Sequence, residues 1–174
     1  ARKLCSTAHD AAHHNNATTS LPKVLLFAVL GRNFVKLASA TMVKALDLGF
    51  SLHLVHFNGS LPVYKRLPWY RRVLWSDISV GSKAQNILRH LIHANRRKAI
   101  LEAFTHVWVT DEDIRFPQAE EMRRFVMMAS AMGALVVGPA MHNTGHPLAR
   151  ASRGRGVTVR LVDVVEVMSP LMRR

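Results

Sequence analysis

Cysteine is all but absent from this 174-residue chain. With Cys5 alone, no disulfide can close within it, and a four-cysteine zinc site is excluded. Long apolar runs are missing too. The longest, Val24 to Leu30, is strand length, far short of the roughly 20 residues a membrane span needs. No signal-peptide pattern opens the chain, which begins at Ala1. There is no Walker A lysine loop, no Gly-x-Gly-x-x-Gly and no Gly-x-Ser-x-Gly, and nothing points to a serine or cysteine nucleophile. Acids are scarce: 11 Asp and Glu stand against 24 Lys and Arg, for a formal net charge of +13.

What is there suffices for one domain with a core, since 49% of the residues are hydrophobic. Residues 1–20 are rich in Ala, His, Asn and Thr without an apolar period, and read as a disordered arm. Residues 21–174 read as one α/β unit. Lys23 to Leu30 is a continuous apolar run, expected as a strand buried on both faces. Asn33 is placed to cap a helix, in which Val35, Ala38, Met42, Ala45 and Leu46 follow the 3.6 period and which Gly49 closes. Ser51 to Phe57 makes a second strand, ended by the turn pair Asn58-Gly59. Asn16-Ala17-Thr18 and Asn58-Gly59-Ser60 fit the glycosylation acceptor pattern, but such triplets arise often by chance, and Asn58-Gly59 reads better as a turn.

Residues 60–71 carry two prolines and read as an irregular loop, and Arg72 to Ile78 as a third strand. Ser82 is expected to cap a long helical stretch to Ala103, broken near Asn95. His106 to Thr110 is a short buried strand. Pro117 suits the first position of the next helix, whose first turn holds Glu120 and Glu121 and which Gly133 ends. Leu135 to Gly138 and Val157 to Val167 read as strands, and 141–156 as an exposed loop. The alternation predicts a three-layer α/β fold, with a mostly parallel sheet and helices on both faces.

The positive charge is concentrated. Between Pro62 and Ile100 lie Lys65, Arg66, Arg71, Arg72, Lys83, Arg89, Arg96, Arg97 and Lys98, against Asp77 as the lone acid. Such a field attracts phosphates, in nucleotides or nucleic acids, and equally describes a solvated basic face. No nucleic-acid reading motif accompanies it, so a sequence-specific nucleic-acid partner is not expected.

The acids that exist are bunched as well. Glu102, Asp111, Glu112, Asp113, Glu120 and Glu121 are six of the 11. Asp111 and Asp113 follow a buried strand, where open α/β sheets place ligands. In an extended chain they would converge on one side, with Glu112 facing the other. Two hard oxygen ligands suit Mg²⁺ or Mn²⁺, which takes further ligands from a substrate diphosphate. A plain turn before the next helix accounts for the same residues. His53 and His56 point to opposite faces of their strand. His142 and His146 are four apart, yet sit among Gly and Pro, where a helix is not expected. Trp69, Trp75 and Trp108 read as core.

Several stretches together resemble the domain-of-unknown-function family 707, the lysine-ketoglutarate reductase trans-splicing-related proteins. They are Leu25-Leu-Phe-Ala-Val29, Leu54-Val-His-Phe-Asn-Gly59, Leu67-Pro-Trp69, Trp108-Val-Thr-Asp-Glu-Asp-Ile114 and Val165-Glu-Val-Met-Ser-Pro170. The resemblance implies a glycosyltransferase-A-like domain that binds a sugar nucleotide and Mn²⁺ or Mg²⁺ through an Asp-x-Asp motif. Asp111 and Asp113 match that motif. Lys83 and Arg89 match a basic helix ahead of it, whose cations would meet the nucleotide phosphates. An unknown sugar acceptor and a Golgi or secretory location are implied as well. Asn58 stands where the family has Asp, and Ala84-Gln85 where it has paired Trp. The family's later part, where an acceptor-side base is expected, is missing. The expectation is therefore a truncated domain without sugar-transfer turnover of its own. The alternatives are a non-enzymatic basic nucleic-acid-binding module and an inactive family remnant.

Overall fold

The computed structural model describes residues 21–79, 81–92, 96–116, 118–138 and 170–173. The expected arm at 1–20, the loop at 141–156, the strand at 157–167, and His142 and His146 lie outside them.

The apolar run forms β1, Val24–Leu30, in the middle of the sheet. It leads through α1, Val35–Asp47, into β2, Ser51–His56. The cap of α1 differs from expectation: Phe34 occupies the N-cap without a side-chain hydrogen bond, so Asn33 does not cap it. The other end is as expected. Gly49 adopts φ 80°, its N–H donates to the Leu46 carbonyl, and the Phe50 N–H donates to the Ala45 carbonyl. That pair of bonds satisfies the last carbonyls of the helix. A Cβ at Gly49 would meet nothing within 4 Å, so only backbone strain opposes one. Gly49→Ala should therefore lower stability by about 1–2 kcal/mol in urea unfolding. An unchanged midpoint would mean that this left-handed helix end is not held.

Asn58 at φ 50° and Gly59 at φ 65° make the expected turn. The segment after it is not a loop. It holds α2, Leu61–Lys65, and a 3-10 helix, Pro68–Arg72, each with its proline in the first turn. There the missing N–H costs nothing, so these prolines start helices rather than break them. The third strand, β3, is only Trp75–Ile78. Ser82 caps α3, Lys83–Ile87, in a reciprocal pair with Gln85, as expected. The stretch beyond turns π-helical over Leu88–Ile92 and resumes as α4, Arg97–Ala103, on the far side of the expected break, while Asn95 itself lies outside the described residues. The chain continues through β4, His106–Asp111, α5, Ala119–Ala131, and β5, Val136–Val137. Gln118 is the N-cap of α5, and Pro117, expected to open the helix, lies outside the described residues. A strand unforeseen in the sequence, β6, Leu171–Arg173, completes the sheet.

The strand order is β3-β2-β1-β4-β6-β5. β1 to β4 run parallel, and β6 is antiparallel to both β4 and β5. One face of the sheet packs Leu26, Ala28, Leu30, Leu52, Leu54 and Trp108 against α1, α2, the 3-10 helix and α5. The other packs Leu25, Phe27, Val55 and Val109 under the π turn and α4. This is the expected three-layer, mostly parallel Rossmann-like α/β architecture, with a core on both sides of the sheet. No helix among the described residues is long and apolar enough to cross a membrane.

His53 and His56 do face opposite ways. His56 lies with Tyr64 and Tyr70, and His53 with Phe27 and Trp75. Trp69 and Trp108 are core, and Trp75 is partly buried against the second cluster.

Candidate functional site

The chain leaves β1 on one side to build β2 and β3, then crosses to the other side to build β4. At such a switch point the loops after neighbouring strands diverge and leave a crevice at the carboxyl ends. A cleft of about 570 Å³ lies there, lined by Val29, Phe57, Asn58, Ser79, Lys83 and the acidic triplet, among others. Each strand from β1 to β4 contributes to it directly or through the loop that follows.

The acidic triplet sits differently from its expected alternation. β4 ends at Asp111, and residues 112 and 113 form a turn. Asp111, Glu112 and Asp113 therefore all line the cleft, and Glu112 does not face away. Its Oε2 accepts the Gly31 N–H at 2.5 Å, which ties the β4 turn to the end of β1. A Cβ at Gly31 would fall 2.5 Å from the Phe57 ring, so glycine lets the end of β1 pack against that ring. Burial raises the Glu112 carboxyl, and the charges of Asp113 and Asp111 add to that, against the Gly31 bond. Burial likewise raises Asp111, helped by Asp113 and opposed by Lys83.

Lys83 opens α3 behind the Ser82 cap, and its Nζ lies 2.7 Å from Asp111 Oδ1. The buried Asn86 braces that entrance, with its amide nitrogen 2.8 Å from both Ser79 Oγ and the Ser82 carbonyl. Lys83, Asp111 and Asp113 are thus brought together. Arg89 is not: it is exposed on the π turn, apart from the residues that line the cleft. The chain matches no family model, and no curated protein is similar to it at a significant level. The residues themselves must carry the functional reading.

A second polar cluster lies on the α4 side of the sheet, where the sequence alone indicated none. His53 Nε2 is 2.9 Å and His90 Nδ1 3.6 Å from Asp77 Oδ2. Arg96 donates to both carboxylate oxygens, the contact to Oδ1 being 3.3 Å, and stacks 5.7 Å over the Trp75 ring. Burial works to raise the Asp77 carboxyl, but hydrogen bonds from Arg96 and His53 and their charges hold it below its usual value. Burial lowers His53 to about 4, despite the Asp77 contact. Among the described residues, this is the one place where three metal-ligating groups lie within 4.8 Å of one another. The available clue was Asp77 itself, the lone acid in a basic stretch, which had to be paired. Its partners lie 24, 13 and 19 residues away and meet only in the folded chain.

Proposed function

We propose that the cleft binds a nucleoside diphosphate group, that of a sugar nucleotide, together with Mn²⁺ or Mg²⁺ held by Asp111 and Asp113. The observation that carries this reading is one cleft at the strand switch point in which these carboxylates and Lys83 meet. The donors fit the ion. Hard carboxylate oxygens suit Mg²⁺ and Mn²⁺, and a cation would favour the ionised forms of Asp111 and Glu112, which burial and, after it, the neighbouring carboxylates oppose. The triplet is not gathered into a three-ligand cage, in keeping with an ion that draws its remaining ligands from phosphates.

When bound, the ion would neutralise charge on a departing diphosphate as a Lewis acid. Lys83 pairs with Asp111, and an ion on that carboxylate would turn the ammonium toward the phosphates. Glu112, held by Gly31, fixes the turn that carries the two aspartates. The reading makes the chain a glycosyltransferase-like domain. A general nucleic-acid surface is less well supported: Arg72, Lys83, Arg96 and Lys98 of the basic stretch pair with acids of the chain.

Calorimetric titration of a nucleoside diphosphate with and without Mn²⁺ tests this. Ion and nucleotide should tighten each other by the same factor, roughly 5–150-fold. Asp111→Asn and Asp113→Asn should each remove that coupling with the fold intact. Glu112→Gln keeps an oxygen for the Gly31 N–H and should matter less. Equal nucleotide affinity with and without Mn²⁺ would reduce the triplet to a turn.

A further inference from the structure

We propose that His53, Asp77 and His90 form a binding site for a zinc-type divalent cation, and that Arg96 competes with the ion for Asp77. None of the four lines the cleft, so the site is independent of the nucleotide reading.

The donor set comes first. Two imidazole nitrogens and one carboxylate suit Zn²⁺, Co²⁺ and related ions, and leave a fourth position for water. Spacing comes next. Tetrahedral Zn²⁺ with bonds of about 2.0–2.2 Å sets neighbouring ligand atoms about 3.3 Å apart. The 2.9 Å and 3.6 Å separations at Asp77 Oδ2 straddle that value. The two imidazole nitrogens lie within 4.8 Å of each other, and an ion would have to draw them to that spacing.

The three residues are delivered by rigid elements. In the parallel register His53 lies beside Trp75 and Val55 beside Asp77, so His53 and Asp77 share one face as diagonal neighbours. His90 reaches them from the π turn, a rare form found frequently at functional sites.

Hydrogen bonding supplies a separate observation. His53 is fully buried, yet its Nδ1 has no hydrogen-bond partner, and neither has the buried Nε2 of His90. These are the outer nitrogens, opposite those that face Asp77, so an ion would bind the inward nitrogens and leave the outer ones as they are. The same unpartnered outer nitrogens make the site a modest one. Partners there typically strengthen metal binding on the order of 10–100-fold.

Arg96 completes the logic. Its guanidinium holds both oxygens of Asp77 and lies 3.4 Å from His53 Nε2. An incoming cation takes Oδ2 and the two ring nitrogens, displacing one arm of the guanidinium. The contact of the other arm with Oδ1 then orients the ligating carboxylate. The imidazoles bind as neutral rings, so any proton they carry is released.

The experiment is a Co²⁺ titration of the chelator-stripped 174-residue chain, read by the visible bands of four-coordinate cobalt and followed by displacement with Zn²⁺. The chain has 10 histidines, so the variants carry the assignment. His90→Gln should weaken binding at least tenfold. Asp77→Asn, which keeps the shape of the side chain, should do the same. Arg96→Gln removes the competing charge and should tighten binding by roughly one order of magnitude, the scale on which a guanidinium shifts proton binding at a neighbouring carboxylate. A clamp that merely pins α4 to the sheet predicts the opposite for Arg96→Gln: a less stable protein with no gain in ion affinity. The proposal is overturned by absent cobalt bands, by bands of equal strength in folded His90→Gln, or by Arg96→Gln binding no tighter than the parent.

Discussion

Trp108→Ala should cost about 3–5 kcal/mol of folding stability, the largest loss expected from any single residue described above. Trp108 is fully buried in β4, flanked in the sheet by Leu26 of β1 and Leu171 of β6. Its ring meets Phe116 at 4.8 Å in a T-shaped contact, Phe125 of α5 at 5.1 Å, and Phe50 at 6.4 Å. One side chain thus joins the sheet to α5, to the turn after α1 and to the segment after the acidic triplet. Truncation would lose the transfer energy of the indole and leave a cavity that three aromatic rings cannot close. Chemical unfolding followed by circular dichroism is the measurement. In a chain of this size the melting temperature should fall about 2–4 °C for each kcal/mol. Trp108→Phe, which keeps most of the apolar surface, should recover much of the loss. A cost under about 1 kcal/mol for the alanine variant would mean that this aromatic group is not packed as described.

Acidification below pH 6.5 should destabilise the protein, in part through His56. Burial, and then the charge of Lys65, lower this histidine from 6.5 to about 4. Its proton can be placed from its neighbours. Ser60 Oγ donates to the Leu30 carbonyl at 2.7 Å, so it accepts from His56 Nδ1 at 3.2 Å. The Tyr70 hydroxyl then donates to Nε2 at 2.8 Å, and Ser76 donates to Tyr70. Every proton in this chain is used by a neutral ring, and none of the bonds asks for an imidazolium. Between pH 6.5 and about 4 the unfolded chain therefore binds a proton at His56 that the native one refuses. By linkage, stability is full above pH 6.5 and falls as pH drops through that window, by about 3 kcal/mol at its lower end. Urea midpoints at a series of pH values should show the decline, and His56→Gln should make it shallower, leaving the share of His53, which burial also holds at about 4. A slope unchanged in that variant would assign the acid sensitivity to other groups.

Much of the architecture was legible because local and tertiary demands agree. The continuous apolar run of β1 leaves no alternative to a central strand. Gly49 and Asn58-Gly59 mark two of the places where the backbone turns left-handed, and Ser82 caps as its side chain invites. The failures have a common origin. Pro62 and Pro68 act at first-turn positions, where their missing N–H is harmless, so a composition that reads as a loop builds two short helices. β6 is three residues held by strands on either side, with no pattern of its own. The cleft residues Asp111 and Asp113 were recognisable by their place after a buried strand. The turn that swings Glu112 in beside them depends on the Gly31 N–H, 81 residues earlier. The His53, Asp77 and His90 cluster needs two strands in register and a π turn above them, and no spacing rule encodes that.

The place of β6 has a consequence for how the chain is made. Among the described residues, β5 pairs with the sheet through β6 alone, and β6 lies between β5 and β4. During synthesis, residues 136–137 leave the ribosome well before 171–173, and until the latter arrive the outer edge of β4 lacks the partner it has among the described residues. β1 to β4 can assemble early, since their parallel pairing uses only residues up to Asp111. An open β4 edge beside a buried Trp108 is then the surface through which a nascent chain would pair with another copy. Closing it is a late event of high sequence separation, the kind that folds slowly. A chaperone that shields this edge would act during the interval between the two strands, and a stalled chain ending between them would be the species that aggregates.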